Sequence, residues 1–287
     1  TVEHPDAVRV EHRAGVVRIA WDRAATGNAV DLDLARETLS ALRRAEADPT
    51  VHVLTLTGSG RFFSAGGDVK GMAGRPATER PGFLRELASA ARDLALAMVR
   101  SRLLIIAGVN GTAAGAGLGL ILNSDWALIR EDATVLAAYA AIGLTPDTGV
   151  SYLLPRAVGH QRSVELTLGG RRLTGTEAVE WGIAAESVSA EEFAERLTEV
   201  EDRFVAGTAG SYGSTKRLLR RGVVAEYETH LAEEISVIAE RSGGRRRSSM
   251  VKVEVVDIRG SSRRSGRGRR SRPEPDPTTW RRPSCPR

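Results

Sequence analysis

Cysteine is almost missing from this chain: of 287 residues only Cys285 is one. A single thiol closes no internal disulfide. The five histidines, His4, His12, His52, His160 and His230, are scattered rather than spaced as metal ligands. A reducing compartment such as the cytoplasm is the expectation. No run of eighteen apolar residues is present, which argues against a membrane-spanning helix. The first ten residues carry acids and no apolar stretch, so no secretory signal is legible in them. Also lacking are a Gly-Lys-Ser/Thr phosphate loop, a Gly-x-Gly-x-x-Gly turn with a downstream ribose acid, and a Gly-x-Ser-x-Gly elbow. Nucleotide binding and serine hydrolysis therefore have little support.

The net charge of +5 hides an asymmetry. From Gly243 to Arg287 there are 14 basic and 4 acidic residues, which leaves 27 basic and 32 acidic in the body. An acidic body repels phosphate, so nucleic-acid binding would rest on the tail alone. Only Trp280 offers a stacking ring there. Rich in Arg, Ser, Gly and Pro, the tail reads as disordered or atypical; an out-of-frame reading of a GC-rich gene would produce the same mix.

The rest of the chain has the patterning of a packed α/β protein. Val16 to Trp21, Val51 to Thr57 and Leu103 to Val109 read as strands, the last almost wholly apolar, as in a sheet buried on both faces. Between them, Asp31 to Asp48 and Phe83 to Arg100 carry apolar residues at helical spacing. Further helices are expected after a Thr174/Glu177 capping box, over Ala190 to Ala206 and over Glu226 to Arg241. A sheet-forming first half and a helical second half suggest a core at 1–185, a helical oligomerisation region at 186–242 and the basic tail at 243–287.

Two segments carry chemistry. Phe63-Ser64-Ala65-Gly66-Gly67-Asp68-Val69 follows a strand, and its small residues leave main-chain N–H groups open to a ligand. Val109-Asn110-Gly111-Thr112-Ala113-Ala114-Gly115-Ala116-Gly117 also follows a strand and opens a helix, whose N-terminus offers free N–H groups and partial positive charge. Together with Ile142 to Gly159, these segments resemble the crotonase superfamily, the enoyl-CoA hydratase/isomerase family, over about Val8 to Arg241.

The resemblance implies a ββα spiral core followed by a helical trimerisation region, and an acyl-CoA thioester as substrate. Coenzyme A enters as part of that substrate, and no cofactor or metal is called for. The implied oxyanion hole uses the N–H groups of Ala65 and Ala116. Binding of coenzyme A and the acyl group is implied for Ala25, Ala65, Gly66, Gly67, Asp68, Val69, Ala116 and Tyr139, with Lys70 in reach of a phosphate. The two glutamates of family hydratases fall on Gly119 and Tyr139, neither an acid. One carboxylate does match a family position: Asp147, in Thr145-Pro146-Asp147-Thr148-Gly149. On its residues alone it reads as a helix cap. The resemblance is to members of the enoyl-CoA isomerase and ring-epoxide phenylacetyl-CoA isomerase kind, in which one acid serves both proton transfers. The expected activity is therefore conversion of a 3-enoyl-CoA to a 2-enoyl-CoA. A hydratase, an aryl-CoA dehalogenase with Asp147 as nucleophile, and a non-catalytic acyl-CoA or RNA binder remain alternatives. Homotrimers or homohexamers are implied, with no membrane partner.

Overall fold

A computed structural model describes residues 7–207, 209–220 and 223–243. The tail reading from residue 244 onward lies outside these residues. Ten strands, ten α-helices and two 3-10 helices are described. The strands are β1 (Val8–Arg13), β2 (Val16–Trp21), β3 (Val53–Gly58), β4 (Phe62–Ser64), β5 (Leu104–Val109), β6 (Thr112–Ala114), β7 (Trp126–Arg130), β8 (Thr134–Leu136), β9 (Leu173–Thr174) and β10 (Glu186–Val188). The helices are α1 (Leu32–Ala47), α2 (Val69–Ala73), α3 (Arg80–Arg100), α4 (Ala116–Asn123), α5 (Val150–Val158), α6 (His160–Thr167), α7 (Gly175–Glu180), α8 (Phe193–Ala206), α9 (Ala209–Leu219) and α10 (Val223–Gly243).

The chain alternates between two sheets. The larger has the order β1-β2-β3-β5-β7-β10 and the smaller β4-β6-β8-β9. Each of β3, β5 and β7 lies in the large sheet, is followed at once by β4, β6 or β8 in the small one, and then returns through helix. This repeated strand, strand, helix unit is the expected ββα spiral. The apolar runs explain the burial: Val53 to Leu56 and Ile105 to Val109 are closed to solvent on both faces, as parallel strands covered by helices must be.

Local signals act where the sequence places them. Asp31 caps α1 by accepting the Leu34 N–H at 2.9 Å, and the α1 face bearing Leu34, Ala35, Thr38, Ala41 and Leu42 is buried. Thr174 and Glu177 form the capping box that starts α7. In the second half, α10 lies on α3: Ile235 and Ile238 pack with Leu84, Leu87 and Ala88. Burial of the leucines and isoleucines favours the docked helix, at about 1.5–3 kcal/mol for each one fully buried.

Candidate active site

Parallel pairing brings the two glycine-rich turns together. Strand β4 pairs with β6, Phe62 opposite Thr112 and Ser64 opposite Ala113, so both turns leave the same end of the small sheet. Their backbones nearly touch: a methyl group on Gly66 would lie 3.7 Å from Gly115 Cα. Strand β8 continues the layer on the far side of β6 and delivers Ala137 to Tyr139 to the same edge. Ligands in open parallel sheets bind beyond the carboxyl ends of strands, and a cavity opens there. Gly66, Gly67, Gly115, Tyr139 and Asp147 line its polar side, and Leu84, Leu87, Leu144 and Ile238 its apolar side.

Side chains remote in sequence hold the first turn. Asn28 donates to Phe62 O at 2.8 Å and Ser59 O at 3.1 Å; Asn110 donates to Gly60 O at 2.9 Å and accepts the Gly58 N–H at 2.9 Å. Asp68 caps α2, accepting the Gly71 N–H at 2.8 Å.

The expected donor Ala65 needs correction. Its N–H is already given to Gly27 O at 2.8 Å, and the Gly66 N–H to Ser64 Oγ at 3.2 Å. The Gly67 N–H has no acceptor among the described residues, and Gly67 borders the cavity. The open amide of this segment therefore lies two residues further on. In the second segment, the Ala116 N–H opens α4 and has no intrahelical acceptor, since the first such bond runs from Gly119 N to Gly115 O. Ala25 sits on an exposed 3-10 turn rather than on the cavity wall, but this turn leads directly to Gly27, the acceptor of Ala65. Lys70 is exposed on α2.

Asp147 stands on the cavity wall, on the loop before α5. Its Oδ1 accepts the Tyr139 hydroxyl at 2.7 Å and the Thr148 hydroxyl at 3.0 Å. Burial pushes the Asp147 carboxyl above the usual carboxylate range, while these two bonds pull it back. Burial, followed by the charge of Asp147, drives the Tyr139 phenol well above its ordinary value, so it is a neutral donor. Gly119 faces the same loop: a methyl group there would come within 2.8 Å of Thr148 Cβ. No side chain, acidic or otherwise, fits at 119 without moving the Asp147 loop.

Thr148 and Glu234 escaped the sequence reading. Thr148 adopts φ +53°, rare for a β-branched residue. Glu234 of α10 reaches the start of α5, 85 residues away, to accept the Gly149 N–H at 2.8 Å. A signal existed for Glu234: it interrupts the apolar stripe of Tyr227, Leu231, Ile235 and Ile238, all buried.

Comparison with known proteins agrees with this arrangement. Residues 11–249 match the family described as enoyl-CoA hydratase/isomerase. A 4-chlorobenzoyl coenzyme A dehalogenase of Arthrobacter is 35% identical over 233 residues, 81% of this chain and 84% of the relative. A 1,2-epoxyphenylacetyl-CoA isomerase of Escherichia coli is 28% identical over 217 residues, 76% and 83% of the two chains. Among solved structures, an enoyl-CoA hydratase of Mycobacterium avium subsp. paratuberculosis superposes with a TM-score of 0.77 at 27% identity, covering 85% of this chain and 97% of that one. The converging glycine turns, the ββα spiral and these matches together establish that the chain belongs to the enoyl-CoA hydratase/isomerase family of the crotonase superfamily.

Proposed function

We propose that the protein is an enoyl-CoA isomerase that moves a double bond from the 3 to the 2 position of an acyl-CoA, with Asp147 as its acid and base. One observation carries the reading: Asp147 stands on the cavity wall with one carboxylate oxygen that takes neither hydroxyl donor. The other lining carboxylate, Asp68, is engaged in capping α2. Both hydroxyl donors to Asp147 fall on Oδ1, leaving Oδ2 to take a proton. In this mechanism Oδ2 removes a C2 proton from the 3-enoyl thioester. The Gly67 and Ala116 N–H groups hold the dienolate oxygen, each worth roughly 3–4 kcal/mol by analogy with acyl-transfer enzymes. Protonated Asp147 then returns the proton at C4. Ala25 and Ala65 to Val69 cradle the coenzyme A moiety, with Lys70 beside a phosphate. Helices α8 to α10 serve assembly into a trimer or hexamer, a role consistent with the exposed Leu218 and Leu219 of α9.

Hydration fits less well, because the positions for a glutamate pair hold Gly119 and Tyr139. A second reading is favoured by the dehalogenase relative: attack of Asp147 on a halogenated aryl ring, forming an aryl ester and expelling halide. Hydrolysis of that ester needs a base for water. Of the other ionisable groups lining the cavity, Tyr139 is neutral and Asp68 is engaged in its cap.

The test is an isomerisation assay over straight-chain, cyclic and aryl 3-enoyl-CoAs, followed by conjugated-enoyl absorbance, with Asp147→Asn alongside. Turnover in the native enzyme and its loss in the variant, with acyl-CoA affinity kept, are expected. Full turnover in Asp147→Asn would refute the assignment. A covalent aryl adduct formed from halobenzoyl-CoA would favour dehalogenation.

A further inference from the structure

Two glutamates are buried in the helical half. Glu201 lies between Arg13 and Arg18, which explains it as an ion-paired strut. Glu234 is 5% exposed and has no lysine or arginine partner among the described residues. Its carboxylate accepts the Gly149 N–H at 2.8 Å, the Ser151 N–H at 3.1 Å and the Ser151 hydroxyl. Those amides open α5, whose own chain supplies no capping side chain. A carboxylate from α10 thus caps the helix that begins three residues after Asp147.

The turn so capped is strained. Thr148 has φ +53° and Gly149 φ +80°. Helix α10 presses on it directly, since a methyl group on Gly149 would fall 2.0 Å from the Tyr227 oxygen. Tyr227 donates to Asn123 Oδ1 at 2.7 Å, and Asn123 in turn donates to Thr148 O at 3.0 Å. Strained backbone persists only where its surroundings over-determine it. Here those surroundings are Glu234 and Tyr227 from α10 and Asn123 from α4.

We propose that Glu234 is a positioning residue for Asp147: by capping α5 it holds the strained Thr148–Gly149 turn, so that the seating of α10 sets the aim of the Asp147 carboxylate. This inference rests on Asp147 being the acid and base. Facing Glu234 are Ser151 of α5, His230 and Tyr227 of α10, and Asp147 and Tyr139 of the cavity wall. Burial, opposed by the bonds from Ser151 and Gly149, lifts the Glu234 carboxyl to about 7. Its ionised form is the stronger cap. The charge of Asp147 adds to this rise, so the two carboxylates sense one another.

The experiment compares the full chain with Glu234→Gln over about pH 5 to 9, reading kcat, acyl-CoA affinity and the Asp147 carboxyl resonance in carbon-13-labelled protein. Glu234→Gln is expected to bind acyl-CoA within about threefold of native and to lose about tenfold or more in kcat. It is also expected to abolish a step near neutrality in both the rate profile and the Asp147 resonance. Native kcat and an unchanged profile in Glu234→Gln, with Asp147→Asn inactive, overturn the positioning role and leave the isomerase reading standing. Turnover in Asp147→Asn instead sinks the isomerase reading. The resonance then decides positioning independently of activity: an Asp147 signal indifferent to Glu234→Gln overturns it, and loss of the neutral step supports it. Should Glu234→Gln fail to fold, Ser151→Ala removes one donor to the carboxylate and moves the step to higher pH; a step that stays in place overturns the proposal.

Discussion

The Tyr139 hydroxyl donates to Asp147 Oδ1 across 2.7 Å. The bond joins two residues of the cavity wall that lie eight apart in the chain. A neutral phenol held against a half-buried carboxylate stabilises its ionised form without competing for the proton.

Replacing Tyr139 by phenylalanine should therefore raise the Asp147 carboxyl further, since a bond that lowers it is lost. A hydrogen bond to a charged group is worth about 1.5–3 kcal/mol, so the acid limb of the rate profile should move up by roughly one to two pH units. Activity falls on the acid side of the profile and recovers in part at higher pH. A limb that does not move would show that the phenol does not set the proton affinity of Asp147.

Gly119 offers a second test. Placing an acid there should not create a hydratase, because Thr148 Cβ and O lie within 3 Å of where its Cβ would be, at 2.8 and 2.9 Å. Gly119→Ala is expected to cost about 1–3 kcal/mol by overpacking and to lower kcat by displacing the Asp147 loop. Chemical unfolding and kcat together check this; an unchanged midpoint with native kcat contradicts it.

Adjacent glycines in the first turn should differ sharply. Gly66 has φ +102°, and a methyl group there meets Ala114 O at 3.1 Å. Gly66→Ala should destabilise by about 1–3 kcal/mol from backbone strain alone and pull apart the two amide-bearing turns, with a large loss in kcat. Gly67→Ala meets only Leu87 Cδ2, at 3.8 Å, and keeps the N–H. It should fold normally and retain kcat within about threefold. Equal behaviour of the two variants would mean that turn geometry does not govern catalysis.

Glu234 also makes stability depend on pH. Its folded carboxyl titrates at about 7, above its ordinary 4.5. Below the lower value both folded and unfolded chains are protonated. As pH rises through the window, the unfolded chain ionises first and the fold loses stability, by roughly 3 kcal/mol in all. Asp147, also raised, adds in the same direction. Urea unfolding at pH 5 and pH 8 (about the two ends of this window) should show native protein weaker at the higher value and a smaller difference in Glu234→Gln. An equal slope in both proteins would count against the burial of this charge.

The local grammar of the chain was readable without coordinates. Apolar runs gave β3 and β5, helical spacing gave α1, and the Thr174/Glu177 box gave α7. The two glycine turns stand out by their residue types, whereas Asp147 stands out through the family resemblance, since on its own residues it reads as a helix cap. The donor in the first turn was not readable, because successive peptide N–H groups point in different directions. Which one stays open depends on where Gly27 O lies, and that position is fixed by a turn nearly forty residues earlier.

Sequence alone determined which segments are strands and helices, where small residues expose backbone, and that positions 119 and 139 lack acids. Tertiary structure decided that Gly67 rather than Ala65 keeps its amide free, that Thr148 fills the space beside Gly119, and that Glu234 caps a helix 85 residues away. The physical reason is the range of the forces. Backbone preference and hydrophobic period act over a few neighbouring residues, whereas hydrogen-bond satisfaction and close packing of buried groups depend on whatever the fold brings alongside.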